Sequence, residues 1–412
     1  MINEMTLLKK IHEKGIVGTV WAIIYRIKYF LFYLCRILPI QKNVIVLESE
    51  GDLSDNAFAL FFYMMENGYL KKYKIVWMVD EIDQDISYEH TVFVEKSPKK
   101  PSIRWAYYLG TSKYIIYDHN NLMINLKKRK NQKLIFLSHG CTYKGPKGNN
   151  LKCKSEPDEM YVLSEHFVNP MSKWAGLPRE KILCLGYPRL DWFLRNNVEI
   201  YNKLICYLKS EDANKLFIWM PTFRKSDNPY LSEEYDYGHT GLPILTTVKL
   251  IENFNKLLAE NKSVCVIKLH HLQAQLGITK LNFSNVFFIS DDDIRKMGIQ
   301  LYQVVTVSDA LITDYSSIAT DYLLLNKPII YTLDDYEKYS KSRGMYNIDI
   351  VKTMKGEHVF SYDQFVNAVN NIINNVDLYK EERNEWKKVC HKYINGYASE
   401  RILNHLKIER DK

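Results

Sequence analysis

The sequence predicts an α/β protein of two doubly wound, Rossmann-like domains facing a cleft, preceded by an amphipathic helical segment. Three observations predict it. Short β-branched or aromatic runs alternate with helical stretches along the 412 residues, as parallel sheets covered on both faces require. The chain is too long for one ordinary core, so two domains are the natural division. Polar side chains stand directly after many of the strands, where open α/β sheets place their ligands.

Residues 1–40 form the first element. Apolar stretches at 16–25 and 29–35 are interrupted by Arg26 and Lys28, before the ~20 residues that a spanning helix needs. Lys9, Lys10, Lys14 and Arg36 accompany Trp21, Tyr25, Tyr29, Phe30, Phe32 and Tyr33. That mixture suits a helix lying among the headgroups of an anionic membrane surface. A helix docked on its own protein would show a similar apolar stripe. No small-residue cleavage site follows, which argues against a removed signal peptide.

The first domain is expected over residues 41–208, with strands at 43–47, 74–79, 91–94, 114–117, 134–137, 160–163 and 182–185. A helix is expected over 56–67. The second domain, 209–412, repeats the alternation with strands at 216–220, 264–268, 286–289, 310–313 and 328–331. It ends in helices, where Phe365, Val369, Ile372 and Ile373 share one face.

Composition narrows the chemistry. The formal charge of +8 favours anionic partners such as lipid or phosphorylated substrates. The Lys-Lys-Arg-Lys run at 127–130 is short, and no nucleic-acid-binding signature accompanies it, so nucleic acid is not an expected partner. Seven cysteines without a C-x-x-C pair read as reduced thiols, neither a disulfide frame nor a zinc site. There is no P-loop, no G-x-G-x-x-G and no H-E-x-x-H. The run Asp291-Asp-Asp293 reads as a solvated turn in preference to a divalent-metal site.

The most informative stretch is Ala310-Leu-Ile-Thr-Asp-Tyr-Ser-Ser-Ile-Ala-Thr-Asp-Tyr322. An apolar strand runs into Ser316 and Ser317, good N-cap residues, and helical spacing continues to the breaker Asn326-Lys-Pro328. Free N–H groups and two hydroxyls there suit a phosphate, although a capped helix without ligand has the same pattern. Four more strand ends carry similar chemistry. His139 follows one strand and opens a glycine-rich loop with Gly140, Lys144 and Lys147, where an imidazole can serve as a general base. Arg189 lies in Gly186-Tyr-Pro-Arg-Leu-Asp191, Thr222 and Arg224 in Pro221-Thr-Phe-Arg224, and Lys268 and His270 in Lys268-Leu-His-His271. Each alone has a structural explanation; together they describe a cationic cleft suited to a diphosphate.

Taken in order, Ser138-His-Gly-Cys-Thr-Tyr-Lys144, Gly186-Tyr-Pro-Arg-Leu-Asp191, Pro221-Thr-Phe-Arg224, Lys268-Leu-His270, Thr313-Asp-Tyr-Ser-Ser-Ile-Ala-Thr-Asp321 and Lys327-Pro-Ile-Ile330 resemble the CDP-glycerol glycerophosphotransferases, the TagF/TagB-like teichoic acid enzymes. Asp334 to Tyr339 and Arg343-Gly344 extend the resemblance. It implies a GT-B-type fold with an acceptor-side first domain and a CDP-donor second domain. It also implies peripheral attachment at the cytoplasmic face of a bacterial membrane, and transfer of a polyol phosphate to a lipid-linked acceptor. His139 is the implied base and His270 assists at the phosphate or leaving group. Gly140, Lys144, Arg189, Pro221, Thr222, Arg224, Lys268, Thr313, Asp314, Ser316, Ser317 and Asp321 are the implied binding residues. The chain departs from the family pattern at Ser138, where an aromatic residue is usual, and at His271, where proline is usual.

The expected reaction is attack by an acceptor hydroxyl on the polyol-bearing phosphorus of CDP-glycerol or a related CDP-polyol, releasing CMP, with no tightly bound cofactor. Teichoic acid priming and capsule-type synthesis both fit the length. A GT-B glycosyltransferase using a nucleotide sugar is the alternative, since fold alone does not choose between carbon and phosphorus as the electrophile. A divalent-metal requirement and self-association are left open.

Overall fold

A computed structural model of the chain describes residues 20, 23–96, 102–141, 154–222, 240–269, 277–343 and 349–411. Two parallel sheets carry the architecture. The first contains β1 (Gln41–Glu48), β2 (Lys74–Val79), β3 (Thr91–Glu95), β4 (Ser112–Tyr117), β5 (Lys133–Phe136), β6 (Glu159–Val162) and β7 (Ile182–Cys184) in the order β3-β2-β1-β4-β5-β6-β7. The second contains β8 (Lys215–Trp219), β9 (Ser263–Lys268), β10 (Val286–Ile289), β11 (Ala310–Thr313), β12 (Ile329–Thr332) and β13 (Glu357–Val359) in the order β10-β9-β8-β11-β12-β13. Each order reverses beside its first strand, between β1 and β4 and between β8 and β11, which makes these the switch points of doubly wound sheets.

By its contacts the chain forms two compact units, residues 1–138 with 151–160 and 403–412, and residues 139–150 with 161–402. Strand burial explains why the apolar runs are unbroken. Val44 to Glu48 of β1 and all of β9 are buried on both faces, so alternation is absent where helices cover the sheet twice. In the second unit, helix Val248–Glu260 turns Ile251, Phe254 and Leu258 inward, and helix Tyr362–Ile373 turns Phe365, Ala368, Val369 and Ile372 inward. Their aromatic rings meet Trp219 of β8, with Phe365 at 5.3 Å and Phe254 at 6.3 Å between centroids. Thr247 and Ser361 cap these helices by accepting from Leu250 N and Gln364 N.

Every strand expected from the sequence is present, and β13 is an addition. Its three residues are too few for a readable pattern, but Gly356 marks it: a Cβ there would collide with the carbonyl oxygen of Ile329 on β12. Two local expectations change. Asp291-Asp-Asp293 is the first turn of helix Asp291–Lys296, not a free turn, because Ser290 and Asp293 close a capping box and carboxylates favour the positive end of a helix. Ser317 does stand at the N-cap of helix Ile318–Tyr322, but in an already helical conformation, φ −63°, and without a side-chain cap bond.

Residues 23–35 are helical, and most of the expected N-terminal segment lies outside the described residues. Phe32 and Cys35 are buried, Gly110 admits the helix with a Cβ position 3.2 Å from Cys35 Cβ, and the Lys28 ammonium lies 4.1 Å from the Trp105 ring. No helix among the described residues is long and apolar enough to cross a membrane.

Asp191 anchors the end of the second unit. Its carboxylate accepts from Ala398 N at 2.8 Å and Ser399 N at 2.9 Å, capping helix Ala398–His405 from a distant segment. Burial pushes this carboxyl up to about 6, against the pull of those N–H groups and Arg401. The folded state therefore holds the proton where the unfolded chain, at ~3.9, has lost it. Asp191→Ala is expected to cost about 1–2 kcal/mol from loss of the cap, measured by urea unfolding. The linked part of that cost is full below ~4 and declines as pH rises through about 6, so the variant lies closest to wild type in alkaline buffer.

Candidate active site

The chemistry expected at strand ends begins at the switch point of the second sheet. Asp314, directly after β11, is fully buried and accepts from Thr222 N with both carboxylate oxygens, at 3.0 and 2.9 Å, and from Thr222 Oγ1 at 2.5 Å. Thr313 Oγ1 donates to the Met220 carbonyl at 2.8 Å. These bonds tie the loop after β8, with buried Pro221, to the loop after β11. Thr222 and Asp314 therefore satisfy one another, and their contribution is to shape the turn that carries the serines.

Tyr315 fixes that turn from its other side. Its hydroxyl donates to Asp335 Oδ1 at 2.9 Å and its ring stacks on Tyr339 at 4.3 Å. Ser316 and Ser317 remain half-buried, and Ser316 lines a recess together with Asp314, Tyr315, Ala319 and Tyr331. Lys268 ends β9 with its ammonium 3.1 Å from Asp291 Oδ1 and donating to the Leu269 carbonyl at 3.1 Å. The cation stands at the expected strand end and is already balanced by a carboxylate that is itself exposed.

Arg189 is 1% exposed, so its guanidinium works inside the protein. One Nη2 donates to Asp321 Oδ2 at 2.6 Å and to the His139 carbonyl at 3.1 Å, and the Tyr302 ring lies 4.3 Å from Cζ. Tyr302 donates its hydroxyl to the same Asp321 oxygen at 2.7 Å. Arg189 and Asp321, both implied as binding residues, thus form a buried pair that also holds the backbone of His139.

The next residue closes the arrangement. Gly140 has φ +145°, and a Cβ there would lie 2.5 Å from Ser317 Oγ and 2.9 Å from Ser317 Cβ. Only glycine permits this approach. His139, exposed, and the serine turn are consequently neighbours, brought together by a glycine and an arginine whose individual motifs said nothing of one another. Cys141 beside them is fully buried, 3.1 Å from the Tyr187 hydroxyl, and burial pushes its thiol far up, which disqualifies it as a nucleophile. Burial lowers the pKa of His391, against the pull of the Thr320 carbonyl that lies 2.8 Å from its Nε2.

Lys144, Arg224 and His270 lie outside the described residues. Tyr302 was invisible to motif reasoning because it sits in helix Leu301–Val307, away from any strand end. Asp118 was missed although a signal existed. It follows β4 as Asp314 follows β11, and it accepts from Glu50 N at 3.3 Å and Ala57 N at 2.8 Å, tying down the loop after β1. Removing one partner of the buried ion pair is expected to be severe. Asp321→Ala should cost about 3–5 kcal/mol in urea unfolding, and Arg189→Met in the same chain should restore part of that loss.

Comparison with known proteins identifies the family. A family model described as CDP-Glycerol:Poly(glycerophosphate) glycerophosphotransferase matches residues 30–407. The teichoic acid poly(glycerol phosphate) polymerase of Bacillus spizizenii is 24% identical over 392 residues, covering 88% of this chain and 91% of the relative. The teichoic acid glycerol-phosphate transferase of Staphylococcus aureus is 27% identical over 418 residues, covering 93% and 98%. Among solved structures, the wall teichoic acid polymerase TagF superposes with a TM-score of 0.73 at 19% identity over 98% of each chain, a likeness of fold. With the match running through both sheets and every strand-end motif, this chain belongs to the CDP-glycerol:poly(glycerophosphate) glycerophosphotransferase family and is a transferase.

Proposed function

We propose that the protein transfers glycerol phosphate, or the phosphate of a closely related polyol, from CDP-glycerol to a hydroxyl of a lipid-linked acceptor in teichoic acid or capsule-type polymer synthesis. The observation that carries this reading is the exposed His139 on a turn seated against Ser317 and gripped through its carbonyl by Arg189. The acceptor oxygen attacks the glycerol-bearing phosphorus, the bond to the bridging oxygen breaks, and CMP departs with that oxygen. His139 takes the hydroxyl proton. Ser316 and Ser317, half-exposed on a turn braced by Asp314 and Tyr315, donate to the diphosphate. Phosphoryl transfer needs positioning and charge stabilisation more than covalent chemistry, and a braced turn supplies the first. The solved structure of a TagF variant with CDPG supports this choice of donor.

An acceptor on a lipid requires the enzyme at a membrane surface. We infer that helix 23–35 and the residues after it supply that contact. Phe30 is 66% and Ile37 80% exposed, with Tyr25, Ile27 and Leu34 also exposed, while Phe32 holds the helix to its own unit. Apolar side chains flanked by Arg26 and Arg36 suit anionic headgroups.

Two experiments test these readings. With CDP-glycerol and a lipid-linked acceptor, His139→Ala is expected to lower CMP release by roughly 10²–10⁴-fold. The pair Ser316→Ala and Ser317→Ala should raise the KM for CDP-glycerol; near-normal turnover without His139 would remove it as the base. The full chain should co-float with vesicles containing phosphatidylglycerol, and Phe30→Asp with Ile37→Asp should abolish flotation. Undiminished flotation of that variant would move the contact elsewhere.

A further inference from the structure

Ser138, the residue before His139, has φ +67°, a left-handed conformation that serine rarely adopts, and it is 1% exposed. Its carbonyl is held. Asn56 Nδ2 lies 2.8 Å from Ser138 O, and because a carbonyl only accepts, the amide must present its NH2 group there. Asn56 is itself fully buried in the first turn of helix Asp55–Glu66.

What fixes Asn56 is an over-determined loop. Gly51, Asp52, Leu53 and Asp55 all have positive φ, at 67°, 54°, 43° and 53°. Such a run persists only where its surroundings impose it. Asp118 accepts from Glu50 N and Ala57 N, and Ser54 N donates to Ser49 Oγ at 3.1 Å. Lys96 Nζ donates to the Ser49 carbonyl at 3.2 Å and pairs with Glu48, Asp52 and Asp80. This bracing fixes the start of helix Asp55–Glu66, and with it the amide that meets Ser138.

We propose that Asn56 is a positioning residue for phosphoryl transfer: its amide holds the Ser138 carbonyl and so keeps the left-handed turn that aims His139. The proposal rests on the reading of His139 as the base. Without the amide, Ser138 relaxes toward negative φ, the following peptide rotates, and the imidazole leaves the line of the acceptor hydroxyl. Donor binding, which falls to the serine turn, is untouched.

The test uses the full chain, CDP-glycerol and a lipid-linked acceptor, with Asn56→Ala and Asn56→Asp made in the wild type and with Ser138→Gly. Asn56→Ala should lower kcat by ~10–100-fold, the range expected for a small misplacement of a reacting group, with KM for CDP-glycerol unchanged. Glycine adopts positive φ freely, so the Asn56→Ala penalty should shrink roughly 5–10-fold in the Ser138→Gly background. Asn56→Asp, which keeps the shape, should match Asn56→Ala at alkaline pH and gain on wild type as the pH falls, because only the protonated carboxyl can donate. An equal penalty in both backgrounds, a loss seen in KM instead of kcat, or an Asn56→Asp/wild-type ratio flat with pH would overturn the proposal. If His139→Ala is inactive while Asn56→Ala turns over normally, the positioning role alone fails. If His139→Ala is active, the base assignment fails and the positioning role with it.

Discussion

The buried contact between Arg189 and Asp321 is the interaction on which the rest of the site depends. Taking both charges out of water is costly, and a pair 1% and 0% exposed is weak evidence of added stability. Its yield is geometric. A guanidinium is planar and offers donors in fixed directions, so one side chain can bond a carboxylate, face the Tyr302 ring and reach the His139 carbonyl. Lysine in that place would supply the charge without the fixed directions. Asp321 lies in the short helix that follows the serine turn, so the pair ties the His139 backbone to the segment carrying Ser316 and Ser317.

The same economy recurs at the two switch points. In each sheet an aspartate immediately after the strand beside the first one bonds backbone N–H groups of the loop after that first strand: Asp118 with Glu50 and Ala57, Asp314 with Thr222. Backbone donors at the start of a loop would otherwise need water or a ligand. Satisfying them internally leaves a loop whose shape is set before substrate arrives, and preorganisation of that kind is what a reaction governed by positioning requires. Residues that motifs associate with ligand binding thus divide into those that face solvent, His139 and the serines, and those that hold them, Arg189, Asp314, Asp321 and Thr222.

Much of the fold was legible in the sequence because doubly covered strands leave a strong signal. Runs such as Val44 to Leu47 and Val264 to Ile267 are apolar throughout since both their faces are buried. Strand β13 was not legible, because three residues containing His358 give no periodicity and its place is set by pairing with β12. The N-cap position of Ser317 was legible, but its helical conformation and the missing side-chain cap bond were not. Capping preference is a local property, while Ser317 is set in helical φ and ψ by a turn that Tyr315 and Asp314 hold from distant loops. Asn56 and Tyr302 left no trace, since a helix-borne amide or phenol has the same local pattern whether it faces a neighbour or water.

By itself the sequence determined the alternation of strands and helices, the chemistry gathered at strand ends, and the family that this ordered set of motifs marks. Those depend on residue type and local spacing, which composition and period express directly. Only the tertiary structure decided which polar groups are spent on one another. Arg189 and Asp321 are separated by 132 positions and Thr222 and Asp314 by 92, and no local pattern carries information over such spans. Hydrogen-bond satisfaction is settled by three-dimensional proximity in a buried, low-dielectric interior, where a donor must find its acceptor or bear the cost of lost solvation. That requirement turns a set of polar strand ends into a few exposed side chains on a braced frame.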